Sequence, residues 1–388
     1  MSVSSHRPIR ILHWGMTSGL GGLETFLMNV YRTIDRDAVQ FDFLVPHDER
    51  KLAFEDEIVD LGGNVYRVMY SRRESPVRAL TCLPDFFKEH HDFAGMHVNA
   101  NFPYALPLKY AQRAGIGMRI LHSHSCIPDS FWAHDTPIKR VLRGFSMRSA
   151  RHDIDTYPTH YLACSSLAAG YMFPGKPYTL MRNGIDTAVF AFDSQARLRL
   201  RAELGIPHPS TTVIGCCGAL RSQKNPLFLV EVFAAYHRMN PDSMLLFVGD
   251  GEERKAIESR AAELGVTSSL HITGRRNDVA DLYQAMDAFV LPSLFEGLGI
   301  VYIEAQCAGL PSLASSDVVP AEVKVTDLLR FVPLEQSAQR WAEELDRAVR
   351  QAGTREGYAS QVRAAGYDMQ DVVGQLQEYY VTHADGAR

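Results

Sequence analysis

Residues 291–316, LPSLFEGLGIVYIEAQCAGLPSLASS, contain the pattern that decides the fold of this 388-residue chain. The stretch begins as the end of an apolar strand and continues through a glycine loop into a helix that starts near Leu298. A second apolar strand follows. The stretch also carries two carboxylates eight positions apart, Glu296 in the loop and Glu304 inside the helix. The order of strand, helix and strand predicts a parallel β-α-β unit.

The same alternation of short apolar runs and stretches of helical length extends along the whole chain. The runs are IRILHWG, FDFLVP, NVYRVMY, GMHVNAN, MRILHSH, HYLACSS and YTLMRN, then TTVIGCCG, SMLLFVGD, SLHITG, AFVLPS, LPSLASS and LLRFVPL. Strands as apolar as these are typical of parallel sheets that are covered by helices on both faces. The sequence therefore predicts an α/β protein with two doubly wound, Rossmann-like domains.

The chain is too long for one ordinary core and suits two domains of about 150 to 200 residues each. The turn-rich stretch 182–196, RNGIDTAVFAFDSQA, fits a boundary. We place an N-terminal domain at residues 1–188, a C-terminal domain at 189–366 and a final helix at 367–388. From its periodicity alone, this helix fits against either domain. Ligands of open parallel sheets bind beyond the carboxyl ends of the strands, so we expect a site in a cleft where the two domains face each other.

Composition excludes several classes of protein. With 46% hydrophobic and 22% charged residues, the chain is typical of folded globular proteins. A net charge of -5, without a basic stripe and interleaved aromatics, argues against a nucleic acid partner. Six cysteines without C-x-x-C spacing predict buried free thiols in a reducing compartment. No leader-like or membrane-spanning apolar run is found, so we expect a cytoplasmic chain that begins near residue 1.

A glycine loop, GMTSGLGGLETF at residues 15–26, follows the first strand. A dinucleotide fingerprint needs a glycine three positions beyond Gly21, where this chain has Glu24, so the Rossmann dehydrogenase class is excluded. Gly21 and Gly22 open a helix. They fit either a close approach of backbone amides to a ligand or a simple tight turn.

The second domain repeats this arrangement in GALRSQKNPLFLVEVF, residues 218–233. Arg221 and Lys224 lie just before a helix that Asn225 is expected to cap and Pro226 to start. Two cations at a helix N-terminus favour binding of a diphosphate, because the side-chain charges and the free backbone amides both attract an anion. A solvated basic turn is the alternative.

Two further loops are weaker candidates for ligand binding. Gly249 and Gly251 in FVGDGEE permit a tight turn, and the loop TGRRNDV could border a base. There, Arg275 or Arg276 would stack on the base or contact a phosphate.

The spacing of the two carboxylates suggests why both are present. Eight helical residues cover roughly 12 Å, which is close to the reach from a sugar ring across a diphosphate to a ribose. Glu296 would accept hydrogen bonds from sugar hydroxyls and Glu304 from ribose hydroxyls. The amides of Gly297, Leu298 and Gly299 would face the phosphates. Since the helix is otherwise largely apolar, Glu304 also needs a partner.

Together these segments resemble the retaining glycosyltransferases of the GT-B fold, family 4, which build bacterial exopolysaccharide, capsule and glycolipids. The resemblance rests on GLGGLE, LHSHS, LACSS, RNGID, RSQKNP, VGDGEE, TGRRNDV and the stretch quoted first. It covers nearly the whole chain, and its most specific element is the E-x7-E pattern of Glu296 and Glu304. It implies a nucleotide-sugar donor in the C-terminal domain, an acceptor in the N-terminal domain and a final helix that crosses back to the first domain.

The resemblance also implies roles for single residues. Arg221 and Lys224 match the pair that neutralises the donor diphosphate in place of a metal, so neither a metal nor a cofactor is expected. Glu296 matches the contact to the donor sugar and Glu304 the contact to the ribose. Gly21 and Gly22 match the loop against the donor phosphates and the acceptor.

A histidine near the reacting sugar belongs to the same pattern. His122 in LHSHS matches it, and His124 is the second choice. Relatives often carry a second histidine in the segment GMHVNAN, where this chain has Asn99 after His97. The role of His97 therefore stays open.

These observations predict a metal-independent retaining hexosyltransferase that uses a nucleotide diphosphate sugar, with UDP the commonest base in the family, and a saccharide or lipid-linked acceptor. No carboxylate is placed as a nucleophile, which favours front-face attack with the leaving diphosphate as the base. A GT-B sugar-nucleotide epimerase and a non-catalytic nucleotide-sugar-binding protein remain as alternatives. The GT-A class needs a D-x-D after a strand, but Asp153-Ile154-Asp155 precedes one.

A basic amphipathic segment lies at residues 137–151, PIKRVLRGFSMRSAR. Ile138, Val141, Leu142 and Phe145 share one face, with Lys and Arg side chains around it. Such a helix can lie on an anionic membrane, which would make the protein peripheral on the inner face. We expect instead that it packs its apolar face on the sheet.

Overall fold

The structure is a computed structural model that describes residues 7–19, 21–46, 50–68, 76–132, 136–206 and 208–385. These residues form two compact units. The first combines the N-terminal residues up to Gly184 with the residues from Met369 onward, and the second is Ile185–Asp368. The division falls inside the turn-rich stretch 182–196, and the terminal helix groups with the N-terminal residues.

The first unit is built on a seven-stranded parallel sheet with the order β3-β2-β1-β4-β5-β6-β7. Its strands are β1 (Ile9–Trp14), β2 (Val39–Pro46), β3 (Val65–Val68), β4 (Gly95–Ala100), β5 (Met118–Ser123), β6 (His160–Ala163) and β7 (Thr179–Leu180). The central strands are buried along nearly their whole length, as expected for a sheet with helices on both faces.

The second unit is built on a six-stranded parallel sheet with the order β10-β9-β8-β11-β12-β13. Its strands are β8 (Thr212–Cys217), β9 (Ser243–Val248), β10 (Leu270–Ile272), β11 (Ala288–Leu291), β12 (Ser312–Ser315) and β13 (Leu329–Val332). The prediction of an α/β fold with two parallel, Rossmann-like sheets is confirmed.

Helices connect the strands and cover the sheets. They are α1 (Gly22–Thr33), α2 (Glu55–Asp60), α3 (Pro76–Glu89), α4 (Leu106–Arg113), α5 (Pro137–Thr156), α6 (Ser166–Met172), α7 (Ser194–Glu203), α8 (Pro226–Met239), α9 (Arg254–Glu263), α10 (Val279–Ala285), α11 (Ile300–Cys307), α12 (Ala338–Arg350), α13 (Tyr358–Val362) and α14 (Met369–Asp385). No helix in the described ranges combines the length and the apolar character that a bilayer crossing requires.

The terminal helix α14 belongs to the core of the first unit. Its buried face consists of Val372, Val373, Leu376 and Tyr380, each at most 4% exposed. These residues repeat at helical spacing and pack in one cluster with residues of α1 and β2. The helix that closes the chain therefore completes the unit in which the chain begins.

Strand order reverses once in each sheet, and this fixes where a ligand can bind. In the first unit the reversal lies between β1 and β4, and in the second between β8 and β11. The connections leave two such neighbouring strands toward opposite sides, which opens a crevice at their carboxyl ends. Of the loops after these four strands, the one after β1 carries Gly21 and Gly22, the one after β8 carries Arg221 and Lys224, and the one after β11 carries Glu296.

Helix α5 does not pack its apolar face on the sheet, so that expectation is wrong. Ile138, Val141, Leu142 and Phe145 are 59–74% exposed. Only the far end of the helix is buried, at Asp153 and Ile154. The periodicity correctly predicts an amphipathic helix, but the helix is anchored by its C-terminal end and its first turns project their apolar side chains into solvent.

Candidate active site

Two loops of the second unit meet at the carboxyl ends of β8 and β11. The amide nitrogen of Leu294 donates to the carbonyl oxygen of Gln223 at 2.8 Å. The side-chain amide of Gln223 donates back to the carbonyl oxygen of Phe295 at 3.0 Å. Because β8 and β11 are neighbours in the sheet, segments more than 70 residues apart in sequence are joined by these two hydrogen bonds.

Lys224 and Glu296 are paired across these loops. Lys224 Nζ lies 2.6 Å from Glu296 Oε1, and Ser293 Oγ donates to the same oxygen at 2.6 Å. Glu296 is 5% exposed. The two residues that sequence reasoning assigned to the diphosphate and to the sugar thus occupy one site, while Arg221 on the same loop is exposed.

The start of α8 agrees with the prediction in one respect and differs in another. Pro226 begins the helix as expected. Asn225 precedes it, but its side chain makes no hydrogen bond to a helix amide. Its backbone is instead left-handed, with φ 52°, a conformation that Asn tolerates better than most residues. Asn225 therefore serves the sharp turn between Lys224 and the helix and does not cap the helix with its side chain.

The partner that Glu304 requires is Tyr283. The Tyr283 hydroxyl donates to Glu304 Oε2 at 2.8 Å, and Tyr283 is fully buried on α10. Burial raises the pKa of Glu304 to about 7, although the hydrogen bond from Tyr283 and the charge of Lys224 act in the opposite direction. Sequence reasoning missed Tyr283, because only the packing of α10 beside α11 reveals it.

The glycine loop before α11 has a strictly constrained shape. Gly297 and Leu298 are buried, and Gly299 has φ 86°. A Cβ atom at Gly299 would lie 2.7 Å from the ring of Tyr302. The amide nitrogen of Glu296 donates to the carbonyl oxygen of Val318 at 3.1 Å. The sequence GLG therefore sets the direction in which α11, and with it Glu304, leaves the loop.

Gly249 and Gly251 make their close approach to the neighbouring loop. A Cβ atom at Gly249 would lie 2.0 Å from the carbonyl oxygen of Gly218, and one at Gly251 would lie 2.3 Å from that of Leu220. The amide of Leu220 also donates to the carbonyl oxygen of Asp250 at 3.1 Å. These glycines thus hold the loop that carries Arg221 and Lys224.

The two arginines of TGRRNDV differ in their surroundings. Arg276 donates to the carboxylates of Asp278 and Glu203, at 2.5 Å and 2.9 Å for its Nη2. Arg275 is exposed. Of the two candidates for contacting a base or a phosphate, Arg276 is thus already paired with carboxylates, and the prediction rests on Arg275.

In the first unit, the loop after β1 is ordered by Glu24. Its carboxylate accepts from the amide of Gly21 at 3.1 Å and from Thr17 Oγ1 at 2.6 Å. This is the glutamate half of a capping box at a helix start, and it explains why a glutamate stands where a dinucleotide fingerprint has glycine. Gly21 and Gly22 are exposed at the start of α1.

His122 lies in a cluster of four histidines, of which His13, His97 and His122 are fully buried and His124 is half-buried. His122 stands at the end of β5, its Nδ1 lies 3.2 Å from His97 Nε2, and its ring centroid lies 3.9 Å from that of His124. His13 on β1 is the fourth member, with its ring centroid 5.1 Å from that of His97. Sequence reasoning missed His13. The alternation HVN on β4 and HSH from β5 places His97 with Asn99 and His122 with His124 on one face, whereas His13 on β1 joins them through strand pairing.

Burial keeps these four imidazoles neutral at pH 7. It lowers the pKa of His13 and of His124 to about 3, and those of His97 and His122 well below 6.5. In the described ranges, no three or more His, Cys, Asp or Glu side chains are arranged to hold a metal ion.

Comparison with known proteins shows what this chain is similar to. Residues 197–365 match the family model described as glycosyl transferases group 1. The protein EpsF of Bacillus subtilis (strain 168), which carries a provisional glycosyltransferase name, is 29% identical over 377 residues, 96% of each chain. The UDP-Gal:alpha-D-GlcNAc-diphosphoundecaprenol alpha-1,3-galactosyltransferase of Escherichia coli is 34% identical over 149 residues, 38% of each chain.

The crystal structure of Anabaena Alr3699/HepE in complex with UDP and glucose has the same fold. It superposes with a TM-score of 0.75 at 18% identity and covers 96% of this chain and 100% of that chain. Two Rossmann-like units, with the motif loops at the strand-order reversal of each, define the GT-B class. This chain is a glycosyltransferase of that fold, and its residues 197–365 match the group 1 family.

Proposed function

We propose that the protein is a retaining hexosyltransferase that moves a hexose from a UDP-sugar to a saccharide or lipid-linked acceptor, in the synthesis of a surface polysaccharide or glycolipid. The pairing of Lys224 with Glu296 at the crevice of the second unit is the observation that carries the proposal. A cation and a carboxylate side by side suit a ligand in which an anionic diphosphate adjoins a sugar rich in hydroxyl donors.

The charges suggest how the leaving group is stabilised. Breaking the bond between sugar and phosphate leaves additional negative charge on the diphosphate, and a fixed cation within reach lowers the energy of that transition state. Lys224 supplies this cation, and the exposed Arg221 supplies a second one on the same loop. In this proposal the two residues replace a metal, and no cofactor takes part.

Retention of anomeric configuration follows from front-face attack. The acceptor hydroxyl approaches on the side from which the diphosphate leaves, a phosphate oxygen takes the hydroxyl proton, and the sugar passes through an oxocarbenium-like state. In this proposal Glu296, whose Oε1 accepts from Lys224 and Ser293, does not act as a nucleophile. Its role is to accept hydrogen bonds from sugar hydroxyls, while Glu304 accepts from ribose hydroxyls.

The choice of UDP has two supports. The Escherichia coli relative is named for a UDP-Gal donor, and the Anabaena neighbour was crystallised with UDP and glucose. Thermal unfolding in the presence of UDP-, GDP- and ADP-sugars tests the base, because a ligand that binds only the folded state raises the melting temperature. We expect the largest shift with a UDP-sugar.

A transfer assay then tests the reaction itself. With the stabilising donor, EDTA and a panel of saccharide and lipid-linked acceptors, we expect a product whose anomeric proton coupling in NMR matches that of the donor. Inverted configuration or loss of activity in EDTA would refute the mechanism. Consumption of donor without a transferred sugar would identify an epimerase, and binding without consumption would identify a non-catalytic binding protein.

The exposed face of α5 supports a membrane-bound acceptor. Its four apolar side chains are surrounded by the cations of Lys139, Arg140 and Arg148, all exposed. This arrangement is typical of helices that lie in an anionic membrane surface. The diphosphoundecaprenol in the name of the Escherichia coli relative is a lipid carrier. We therefore propose that α5 docks on anionic lipid and brings the enzyme to a lipid-linked acceptor.

A further inference from the structure

The buried histidine cluster lies on one face of the first sheet because of strand register. His13 on β1 is opposite His97 on β4, and Asn99 on β4 is opposite His122 on β5. Side chains alternate between the faces of a strand, so these three histidines and Asn99 share one face. All four are at most 2% exposed. Tyr380 of α14 reaches the same cluster.

A chain of two hydrogen bonds leads from Tyr380 to His122. Tyr380 Oη lies 2.6 Å from His97 Nδ1, and His97 Nε2 lies 3.2 Å from His122 Nδ1. A neutral imidazole has one N–H donor and one acceptor nitrogen. Once the direction of the first hydrogen bond is known, the tautomers of both histidines follow.

The hydroxyl proton of Tyr380 decides that direction. If His97 Nδ1 donated to the tyrosine oxygen, the buried hydroxyl proton would need a second acceptor, and within the described ranges Tyr380 Oη makes no other hydrogen bond. Among the described residues, His122 Nε2 has no partner in either direction, as a donor or as an acceptor, but the reverse direction also leaves the hydroxyl proton of Tyr380 without an acceptor. A buried donor without an acceptor is costly, so the direction that leaves fewer unpaired groups is favoured. Tyr380 therefore donates to His97 Nδ1, His97 Nε2–H donates to His122 Nδ1, and the proton of His122 resides on Nε2.

A second, independent chain fixes His124. The side-chain nitrogen of Asn99 faces two carbonyl oxygens, those of Trp14 at 3.3 Å and His97 at 3.4 Å, and this sets the orientation of the amide. Asn99 Oδ1 therefore faces His124 Nε2 at 3.1 Å and accepts a hydrogen bond from its N–H. His124 Nδ1 remains an acceptor, whereas His122 offers a donor.

His122 Nε2 is the free end of the first chain. It is buried and has no hydrogen-bond partner within the described part of the chain. We propose that Tyr380 and His97 are positioning residues that hold His122 in the Nε2–H tautomer, so that the ring presents a hydrogen-bond donor and cannot act as a general base. The tautomer follows from the contacts in the first unit alone. The use of this N–H toward an oxygen of the donor sugar rests on the proposed function.

Tautomers are observable directly by NMR. In protein labelled with ¹⁵N-histidine, long-range ¹H–¹⁵N correlation spectra distinguish a protonated from an unprotonated ring nitrogen, and His122→Gln and His97→Gln assign the signals. We expect His122 and His97 to be protonated on Nε2 at pH 7. A wild-type His122 protonated on Nδ1 would overturn the proposal without any reference to activity.

Tyr380→Phe removes only the hydroxyl that directs the chain. We expect signals at His97 and His122 that are averaged between the two tautomers. Tyr379→Phe is the matched control, because it makes the same change one residue earlier on α14, outside the cluster. Unchanged His122 signals in Tyr380→Phe, or equal changes in both variants, would show that the hydroxyl does not set the tautomer.

Kinetics separate this proposal from the proposed function. With a donor and acceptor that are turned over, Tyr380→Phe should lower kcat by about two- to tenfold with KM unchanged, since kcat scales with the fraction of the competent tautomer. Tyr379→Phe should retain the wild-type kcat. Averaged tautomers with a wild-type kcat would confirm the hydrogen-bond chain and exclude His122 from sugar transfer.

Discussion

Lys224 and Glu296 lie 72 positions apart in sequence, yet their side chains form one ion pair, with Nζ 2.6 Å from Oε1. Glu296 is almost completely buried, whereas Lys224 retains partial access to solvent. The pair is therefore both a structural contact between two loops and the most promising binding feature of the second unit.

Two variants of this pair separate its structural role from its binding role. Lys224→Ala leaves a buried carboxylate without its cation, and we expect it to destabilise the second unit by about 1–3 kcal/mol. Lys224→Ala/Glu296→Gln removes the stranded charge and should recover most of that loss. The measurement is urea unfolding in a Trp14→Phe/Trp132→Phe background, followed by the fluorescence of Trp341, the tryptophan of the second unit.

Activity should not recover with stability. Both variants lack the cation beside the leaving diphosphate, so we expect kcat to fall by about 10²- to 10³-fold in each. A double variant with near wild-type kcat would limit Lys224 to a structural role.

Glu304 should make donor binding depend on pH. Burial raises its pKa to about 7, and only the ionised carboxylate accepts from both ribose hydroxyls. Below pH 7 the affinity for a UDP-sugar should fall by up to about tenfold per pH unit, because the protonated Glu304 must lose its proton before the sugar nucleotide binds. Isothermal titration calorimetry between pH 5.5 and 8.5 measures this, since the diphosphate diester of the donor does not itself titrate there.

The control for this effect is Glu304→Gln, which keeps the size of the side chain but cannot ionise. Its affinity should be low and flat with pH. An equally steep profile in this variant would assign the titration to another group.

The histidine cluster should make the first unit sensitive to acid. Each of the four pKa values lies below the 6.5 of an unfolded histidine, so below pH 6.5 the unfolded state binds more protons. Stability is then lost as the pH falls, by up to about 1.4 kcal/mol per pH unit for each histidine. Glu304 acts in the opposite direction in the second unit, whose stability should gain as the pH falls from about 7 to 4.5.

Tryptophan fluorescence distinguishes the units. Trp14 and Trp132 belong to the first unit and Trp341 to the second. The fluorescence of Trp341→Phe therefore reports on the first unit, and that of Trp14→Phe/Trp132→Phe reports on the second. We expect the urea midpoint of the first unit to fall steeply between pH 6.5 and 4.5. Parallel changes in both units would contradict a specific effect of the histidines.

Gly249→Ala should disturb the loop that carries Lys224. The new Cβ would lie 2.0 Å from the carbonyl oxygen of Gly218, and φ is 143°. We expect a loss of stability of about 1–3 kcal/mol from backbone strain and a weaker donor affinity. Gly353→Ala in the same unit is the control, because its Cβ meets no atom within 4 Å. Calorimetric unfolding that is equal in the two variants would exclude the close approach.

Replacing the apolar side chains of α5 should release the protein from membranes. Leu142→Asp/Phe145→Asp removes two large exposed groups, each worth about 1.5–3 kcal/mol when buried. In flotation with vesicles rich in phosphatidylglycerol, we expect at least about tenfold weaker binding. Leu198→Asp on α7, which changes a similarly exposed leucine of the second unit, should bind as wild type.

Two other outcomes would contradict this prediction. Equal binding to zwitterionic vesicles would remove the role of the basic ring. A dimer in light scattering that the double variant dissociates, without vesicle binding by the wild type, would identify a second copy of the chain as the occupant of the face.

Local sequence was sufficient for the elements of the fold. Apolar runs predicted the parallel strands, and turn residues predicted the region in which the chain passes from one unit to the other. The same local signals failed for α5, because periodicity shows that a helix has an apolar face but not what covers it. They also failed for Asn225, whose residue type suits both a cap and a left-handed turn.

For the candidate site, sequence patterns predicted residue types and their neighbourhood along the chain. They indicated Lys224, Glu296, Glu304 and His122, each in or next to a recognisable loop. They missed Tyr283, Tyr380 and His13, which lie on other elements and join the site only through sheet order and helix packing.

The sequence by itself determined that this chain forms two α/β units with charged and glycine-rich loops after defined strands, because hydrophobic periodicity and turn chemistry act over a few residues. Only the tertiary structure decided that Lys224 meets Glu296, that Tyr283 holds Glu304 and that Tyr380 directs two buried histidines. These contacts depend on which strands are neighbours and which helix covers them, and strand order is a property of the whole chain that no short segment encodes.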